Sequence, residues 1–158
     1  KLFNQKILPS VQPTHATSDM YWLYDRIGKK RAAHAYAYQE LLNRSQVIAF
    51  GTDFPVEDIN PIMTYYSAVA RKDKNGYPDD GFQMENSISR ADALYAMTIH
   101  GAYVNFEEDE KGSIEVGKSA DFILLDNDII RSSEIRIPST NVVATFINGE
   151  LVFNRRYN

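Results

Sequence analysis

An apolar strand that ends in a carboxylate is the feature that most constrains this chain. The run Val47–Phe50 is apolar and of strand length, and it continues into Gly51-Thr52-Asp53 before a Phe-Pro pair blocks simple extension. Such runs are typical of parallel strands that are buried on both faces. In α/β barrels the carboxyl ends of these strands hold the reactive groups. Asp53 is therefore a candidate site residue, although an aspartate that only forms a turn explains this segment equally well.

A second strand ends in polar residues in the same way. Ile7–Val11 is a short apolar run, and Gln12-Pro13-Thr14-His15 follows it. Parallel strands that follow each other along the chain are usually neighbours in the sheet. We therefore expect His15 to lie beside Asp53, where the two side chains could bind a metal or transfer protons. A single histidine after a strand is, however, more often a structural or surface residue.

Helices are predicted between these two strands. Ser18 or Asp19 is expected to cap a short helix over residues 20–24, with Gly28 just past its end. A second helix, rich in Ala, Tyr and Leu, is predicted over about residues 30–43.

Two more helices are predicted after the second strand. Asn60-Pro61 is typical of a helix start, with Asn as the cap and Pro in the first turn. Ser89 and Asp92 resemble a capping box at the start of the next helix. The segment between them, residues 72–82, is charged and rich in Gly, Pro and Asp, which predicts an exposed loop.

The last part of the chain has the pattern of short antiparallel strands. Residues 122–125 are predicted to form a buried strand. Residues 142–147 and 150–153 flank Asn148-Gly149, the strongest short signal for a two-residue hairpin turn. A change in composition at the acidic run 107–111 predicts a boundary between a first unit, residues 1–108, and a second unit, residues 109–158.

Composition excludes several classes of protein. Lys and Arg number 17 against 21 Asp and Glu, which gives a net charge of −4 and argues against a nucleic-acid partner. The chain has no cysteine and therefore no thiolate metal site. No apolar run approaches the roughly 18–20 residues of a membrane span, so we expect a soluble protein, in the cytoplasm or the periplasm. The chain starts without Met, and we expect it to be the C-terminal piece of a longer protein.

Other polar residues are weaker candidates. His34 and His100 are interpreted as surface or packing residues, and the acidic pair Glu57-Asp58 as solvated. Residues 112–119 match the literal spacing of a phosphate-binding loop, with Gly117 before Lys-Ser. Such a loop needs a strand before it and a helix after it. Here a strand follows, and we expect two tight turns instead.

Taken together, these segments resemble the C-terminal portion of the amidohydrolase superfamily, in the subgroup similar to N-substituted formamide deformylases. The segments that carry the resemblance are Ser10 to Ala16 with Asp19, Phe50 to Glu57 with Asn60-Pro61, Ser89 to Ala102, Lys111 to Lys118 with Ala120-Asp121, and Thr145 to Gly149.

The resemblance implies the last strands and helices of an α/β fold, a (β/α)8 metal-dependent hydrolase barrel, followed by a small β-sandwich element. Ile7–Val11 would be barrel strand seven and Val47–Phe50 barrel strand eight. Asp53 would ligate a divalent metal and take a proton from the attacking water. His15 and Gln12 would line the substrate pocket.

The resemblance also implies a function and its requirements. The longer enzyme would hydrolyse a non-peptide C–N bond of an amide-type or formamide-type small molecule, with a divalent metal, zinc, as cofactor. The histidines that complete the family's metal site are absent, so we expect these 158 residues alone to be inactive and to hold no metal tightly. We also expect them to bind the missing N-terminal barrel segment or to self-associate. The family usually has Ser where this chain has Thr52.

Two other functions stay open at this point. The first is a non-catalytic structural or assembly module derived from the same fold. The second is a nucleotide-binding protein that uses Gly117-Lys118-Ser119, which the strand predicted after these residues opposes.

Overall fold

The fold combines helices with two small sheets, and the computed structural model describes residues 7–156. The strands are β1 Ser10–Val11, β2 Ala49–Phe50, β3 Phe122–Leu125, β4 Val142–Ile147 and β5 Glu150–Asn154. The helices are α1 Pro13–Asp19, α2 Leu23–Ala32, α3 Tyr38–Ser45, α4 Pro61–Ala70, α5 Arg90–Met97 and α6 Ile99–Val104, with 3-10 turns at Met84–Asn86 and Glu134–Arg136. Among the described residues, no helix is long and apolar enough to cross a membrane.

Strands β1 and β2 form a parallel pair, as the sequence predicts. Ser10 pairs with Ala49 and Val11 with Phe50. The amide of Gly51 donates to the carbonyl of Val11 at 3.0 Å, so the pairing extends to the last residue before the polar segment. The paired stretches are shorter than the predicted strands at 7–11 and 47–50. Both strands nevertheless end side by side.

The helices between β1 and β2 begin and end at other residues than predicted. The first starts directly after β1, because Gln12 is extended and Pro13 occupies the first turn, where a missing N–H costs nothing. His15 therefore lies within α1, and residues 20–22 form a turn rather than the start of a helix. Gly28 adopts φ +74° and breaks α2, which agrees with the helix end predicted there.

The single helix predicted over residues 30–43 is wrong. Helix α2 ends at Ala32, a turn follows, and α3 starts at Tyr38. Tyr36, within that turn, has a left-handed backbone with φ +54°. A tyrosine is found there only when surrounding contacts compensate for the strain.

Helix α4 is the centre of the hydrophobic core. Asn60 caps it as predicted, because its side-chain oxygen accepts a hydrogen bond from the amide of Ile62 at 3.0 Å. Ile62, Tyr65 and Tyr66 are buried against α1, α5 and the segment after β3. The helix ends at Arg71, which takes a left-handed conformation at φ +56°.

The start of α5 and the loop before it follow the sequence prediction with one exception. The hydroxyl of Ser89 accepts from the amide of Asp92 at 3.1 Å, which confirms Ser89 as the N-cap, and the Asp92 carboxylate accepts from the same hydroxyl at 2.6 Å. Residues 72–82 form turns, mostly exposed, around Asp73, whose carboxylate accepts two backbone amides. Phe82, at the end of the loop, is buried.

The C-terminal strands form a three-stranded antiparallel sheet in the order β3-β4-β5. The prediction that β3 is buried is wrong, since Ile123 and Leu124 are 47% and 48% exposed. Within residues 7–156, strand β3 is an edge strand paired only with β4. Ile129 and Ile137, which follow β3, pack in the same core as α4. The division into units 1–108 and 109–158 stays a prediction.

The turn between β4 and β5 has the conformation that the sequence predicts. Asn148 has φ +50° and Gly149 has φ +79°, both left-handed, as a type I′ hairpin turn requires. Residues 112–119 form turns that lead into β3, which agrees with the rejection of a phosphate-binding loop.

We predict that Gly149→Val lowers the free energy of unfolding by roughly 1 kcal/mol or more, because valine is strained at a left-handed φ. Steric contact is not the cause, since the nearest atom to an added Cβ is the Ala120 methyl at 3.8 Å. Gly101→Ala is the matched control. Gly101 lies in α6 with no positive φ and open space around it, so alanine there should be neutral or stabilising. Thermal melts of both variants check this, and an unchanged midpoint for Gly149→Val would contradict the turn.

Candidate functional site

The candidate site lies where β1 and β2 end, and its centre is a contact between His15 and Asp53. The imidazole Nε2 of His15 is 3.2 Å from a carboxylate oxygen of Asp53. The side chains are 27% and 45% exposed, so the pair lies at the surface of the described part of the chain. The sequence predicts this proximity from the parallel arrangement of the strands, and the geometry agrees.

A tight turn holds Asp53 in place. Asp53 adopts φ +61°, a left-handed conformation that aspartate tolerates better than most residues. Its carbonyl accepts hydrogen bonds from the amides of Val56 at 2.8 Å and Glu57 at 3.3 Å. The Thr52 hydroxyl accepts from the amide of Phe54 at 3.3 Å. The turn therefore forms through backbone groups and the Thr52 hydroxyl, and the Asp53 carboxylate contacts His15.

Helix α1 carries His15 to the same place. Nε2 of His15 is shielded from solvent and makes no hydrogen bond of good geometry, although the Asp53 carboxylate is close. A buried ring nitrogen without a partner is costly unless another group completes its coordination. This nitrogen and the carboxylate are therefore available to a common ligand.

Gln12 belongs to the same end of the two strands. A Cβ added at Gly51 would lie 4.0 Å from the side-chain nitrogen of Gln12, so this side chain passes over the end of β2. The backbone carbonyl of Gln12 accepts a hydrogen bond from the amide of His15 at 3.1 Å and another from the hydroxyl of Tyr38 at 3.0 Å. The structure thus brings together Gln12, His15 and Asp53.

Sequence reasoning missed a second contact between α1 and the Asp53 turn. The Ser18 hydroxyl donates to the carboxylate of Glu57 at 2.5 Å. Ser18 lies one helical turn after His15, and Glu57 lies at the end of the turn that starts at Asp53, so the two contacts run side by side. Asp58 accepts from the amide of Asn60 at 2.8 Å. Glu57 and Asp58 therefore both make hydrogen bonds, and the interpretation of this pair as solvated is wrong. The helical spacing between His15 and Ser18 is the sequence feature that indicates the Ser18 contact.

The other two histidines lie elsewhere. His34 is exposed on the turn between α2 and α3. Nδ1 of His100, in α6, lies 3.3 Å from the carbonyl oxygen of Ile48, before the start of β2, whereas Asp53 follows its end. Neither joins His15 and Asp53, which agrees with their interpretation as surface and packing residues.

The imidazole of His15 and the carboxylate of Asp53 are the types of ligand that bind a divalent metal, but two ligands are too few for a metal site. Imidazole nitrogen and carboxylate oxygen are both ligands that zinc accepts, and a zinc site in a protein usually has three or four protein ligands. Among residues 7–156, no group of three or more His, Cys, Asp and Glu side chains is arranged to hold a metal ion. His15 and Asp53 therefore fit part of a metal site, and the remaining ligands would have to come from outside the described residues.

A buried cation and several tyrosines lie in the interior of the described residues. Burial lowers the pKa of Arg71 to about 10, so this side chain is protonated at neutral pH. Burial raises the pKa of Tyr65 to about 12. Burial also raises the pKa of Tyr38, and burial together with a hydrogen bond to Asp19 raises that of Tyr36.

We predict that stability falls as the pH rises from 10 towards 12. A tyrosine whose folded pKa lies above its unfolded value keeps its proton longer in the folded state, so its contribution is complete below pH 10 and is lost above it. Arg71, with its lowered pKa, acts in the opposite direction, but Tyr36, Tyr38 and Tyr65 outnumber it. Urea unfolding at several pH values checks this, and Tyr65→Phe should make the decline shallower. A flat or rising free energy of unfolding would contradict it.

Comparison with known proteins gives a family match over nearly the whole chain. A family model for amidohydrolases matches residues 1–153, which is nearly the whole chain. The chain belongs to the amidohydrolase family. The resemblance on which the sequence interpretation depends is thereby confirmed at the level of the family.

Two similar proteins show how much of a relative the chain represents. Protein LONG AFTER FAR-RED 3 of Arabidopsis thaliana is 34% identical over 148 residues, which are 93% of this chain and 25% of that protein. An uncharacterized metal-dependent hydrolase from Pyrococcus horikoshii is 31% identical, with a TM-score of 0.71, over 84% of this chain and 27% of the other. This amidohydrolase chain thus spans about a quarter of the length of these relatives.

The likeness to N-substituted formamide deformylases is weaker than the match to the family. The N-substituted formamide deformylase of Arthrobacter pascens is 26% identical over 120 residues, which are 76% of this chain and 22% of that enzyme. This match is weaker and shorter than the match to the Arabidopsis protein. Membership of the amidohydrolase family is therefore established, and the likeness to deformylases is a distant one.

Proposed function

We propose that this chain is the C-terminal part of a metal-dependent amidohydrolase that hydrolyses a non-peptide C–N bond in an amide-type or formamide-type small molecule. The observation that carries the proposal is the 3.2 Å contact between His15 Nε2 and the Asp53 carboxylate, at the shared end of two parallel strands. The distant likeness to a formamide deformylase supports the choice of bond.

In this proposal β1 and β2 are the seventh and eighth strands of a (β/α)8 barrel, within residues 1–108. Residues 109–158, with the β3-β4-β5 sheet, form the β-sandwich segment. The parallel pairing of β1 with β2 and the helices between them support the barrel assignment, since a parallel crossover of this kind is the repeating unit of such barrels.

Asp53 is the proposed metal ligand and general base. When bound, a divalent metal such as zinc polarises the substrate carbonyl and lowers the pKa of a water molecule. The Asp53 carboxylate would hold the metal, accept the proton of the attacking water and return it to the leaving nitrogen. His15, in contact with the same carboxylate, and Gln12, which follows β1, line the substrate pocket and orient the reacting groups.

The remaining metal ligands belong, in our proposal, to a preceding part of the polypeptide. The lengths of the relatives support this, since the matching segment is about a quarter of each. Among the described residues, β1 and β2 pair only with each other, which supports it as well, because strands with unpaired edges are rarely left exposed in soluble proteins. We therefore propose that this chain binds the rest of the barrel. When that part is missing, we expect the chain to self-associate.

We predict that Asp53→Asn in the longer polypeptide lowers the rate of amide hydrolysis by at least about 100-fold, since an amide cannot accept the proton. Asp58→Asn is the matched control. It makes the same chemical change five residues away, in a side chain that only caps the Asn60 amide, and asparagine can keep that cap. Rates with a panel of N-substituted formamides and simple amides, together with thermal melts, check both variants.

The outcomes separate the competing functions. A loss of hydrolysis confined to Asp53→Asn, with an unchanged melting temperature, agrees with the catalytic assignment. An unchanged rate of hydrolysis for Asp53→Asn would show that Asp53 only forms the turn. Absence of hydrolysis from the unmodified protein as well, over the whole panel, would favour the structural or assembly module.

A further inference from the structure

Two tyrosines hold the two ends of the helix that carries His15. The hydroxyl of Tyr38 donates to the carbonyl of Gln12 at 3.0 Å, immediately before the first residue of α1. The hydroxyl of Tyr36 donates to the carboxylate of Asp19, the last residue of α1. These tyrosines are two residues apart, so one short segment of chain contacts both ends of the helix.

Helix α1 depends on such contacts. It has seven residues, and no side chain caps its N-terminus. A helix of that length is unstable in isolation, so its position is set by what it touches. His15 lies in its middle, and a shift of the helix would move Nε2 of His15 away from the Asp53 carboxylate.

Arg71 fixes the tyrosines in turn. Its side chain is completely buried, without a carboxylate in contact among the described residues. Its guanidinium donates to the carbonyl of Phe82 at 2.8 Å and to that of Tyr36 at 3.4 Å. The guanidinium carbon lies 5.4 Å from the centre of the Tyr38 ring, a cation–π contact.

Among the described residues no carboxylate forms an ion pair with Arg71, although the charge of Glu85 raises its pKa, and a cation buried in this way is costly for packing alone. Its burial lowers stability unless hydrogen bonds compensate, and one of its terminal nitrogens has no partner. An aliphatic side chain would fill the same space at lower cost. The planar fork of arginine can, however, contact the Tyr36 carbonyl and the Tyr38 ring at once, and this combination fixes the two hydroxyls relative to each other.

We infer that Arg71, Tyr36 and Tyr38 form a positioning unit that sets the place of α1, and through it the contact between His15 and Asp53. None of the three touches the reacting groups, so they are positioning residues. The effect of this unit on catalysis rests on the proposed function, whereas its effect on the position of His15 does not. A test that needs no turnover therefore separates the two.

The test compares two tyrosines that make the same kind of bond. Tyr38→Phe removes the hydroxyl that donates to Gln12, and Tyr65→Phe removes the hydroxyl of another buried tyrosine, which donates to the carbonyl of Ile129 at 3.2 Å. Both variants should lower the melting temperature by similar amounts. NMR spectra of the chain labelled in its histidines then report on each imidazole, with His34 and His100 as internal references.

We expect Tyr38→Phe to shift the His15 ring signals and to weaken the nuclear Overhauser contact between His15 and the Asp53 β protons by about half or more. Tyr36→Phe should do the same, and Arg71→Lys, if it folds, should have the larger effect. The signals of His34 and His100 should not change, and Tyr65→Phe should leave all three histidines unchanged. If Tyr38→Phe and Tyr36→Phe lower the melting temperature yet leave the His15 signals and contact as they are, the positioning role is wrong.

Discussion

The parallel register of β1 and β2 is the constraint on which the rest of the site depends. Val11 pairs with Phe50, so the residues that follow both strands start from the same edge of the sheet. Side chains alternate between the two faces of a strand, and a slip by one residue would turn the following segment to the other face. His15 and Asp53 are 38 positions apart in the sequence (53 − 15), and this register is what brings them within 3.2 Å.

Two kinds of interaction convert this register into a defined geometry. The first is local, since the Asp53 turn forms through backbone groups and the Thr52 hydroxyl. The second is tertiary, since α1 is held by contacts from three directions. Ser18 binds Glu57 on the Asp53 side, the Thr17 hydroxyl lies 3.1 Å from that of Ser67 on α4, and the tyrosine hydroxyls bind both helix ends. A short helix with weak intrinsic stability can be positioned accurately by contacts of this kind.

What the sequence predicts well are features decided by a few adjacent residues. The Asn60 and Ser89 caps and the Asn148-Gly149 turn follow from backbone groups that neighbouring side chains must satisfy or from φ angles that few residues adopt. The proximity of His15 to Asp53 follows from a topological rule about parallel strands. These features need no knowledge of the remaining chain.

What the sequence does not predict are features decided by distant contacts. The left-handed Tyr36 divides a helix that local propensity would continue, and its hydroxyl and carbonyl are held by Asp19 and Arg71. The Ser18–Glu57 contact joins residues that are 39 apart. Strand β3 has an apolar sequence typical of a buried strand, yet it lies at an edge with half-exposed side chains. In each case the deciding partner is far away in the sequence.

The central claim is that Asp53 ligates the metal of a longer amidohydrolase, and crystallography at the zinc absorption edge tests it most directly. Crystals of the longer polypeptide, grown with zinc, would be measured on both sides of the edge. Our account predicts an anomalous peak about 2.0–2.2 Å from a carboxylate oxygen of Asp53, on the side where His15 approaches it. A zinc peak bound by other residues, with Asp53 out of coordination distance, would contradict the account.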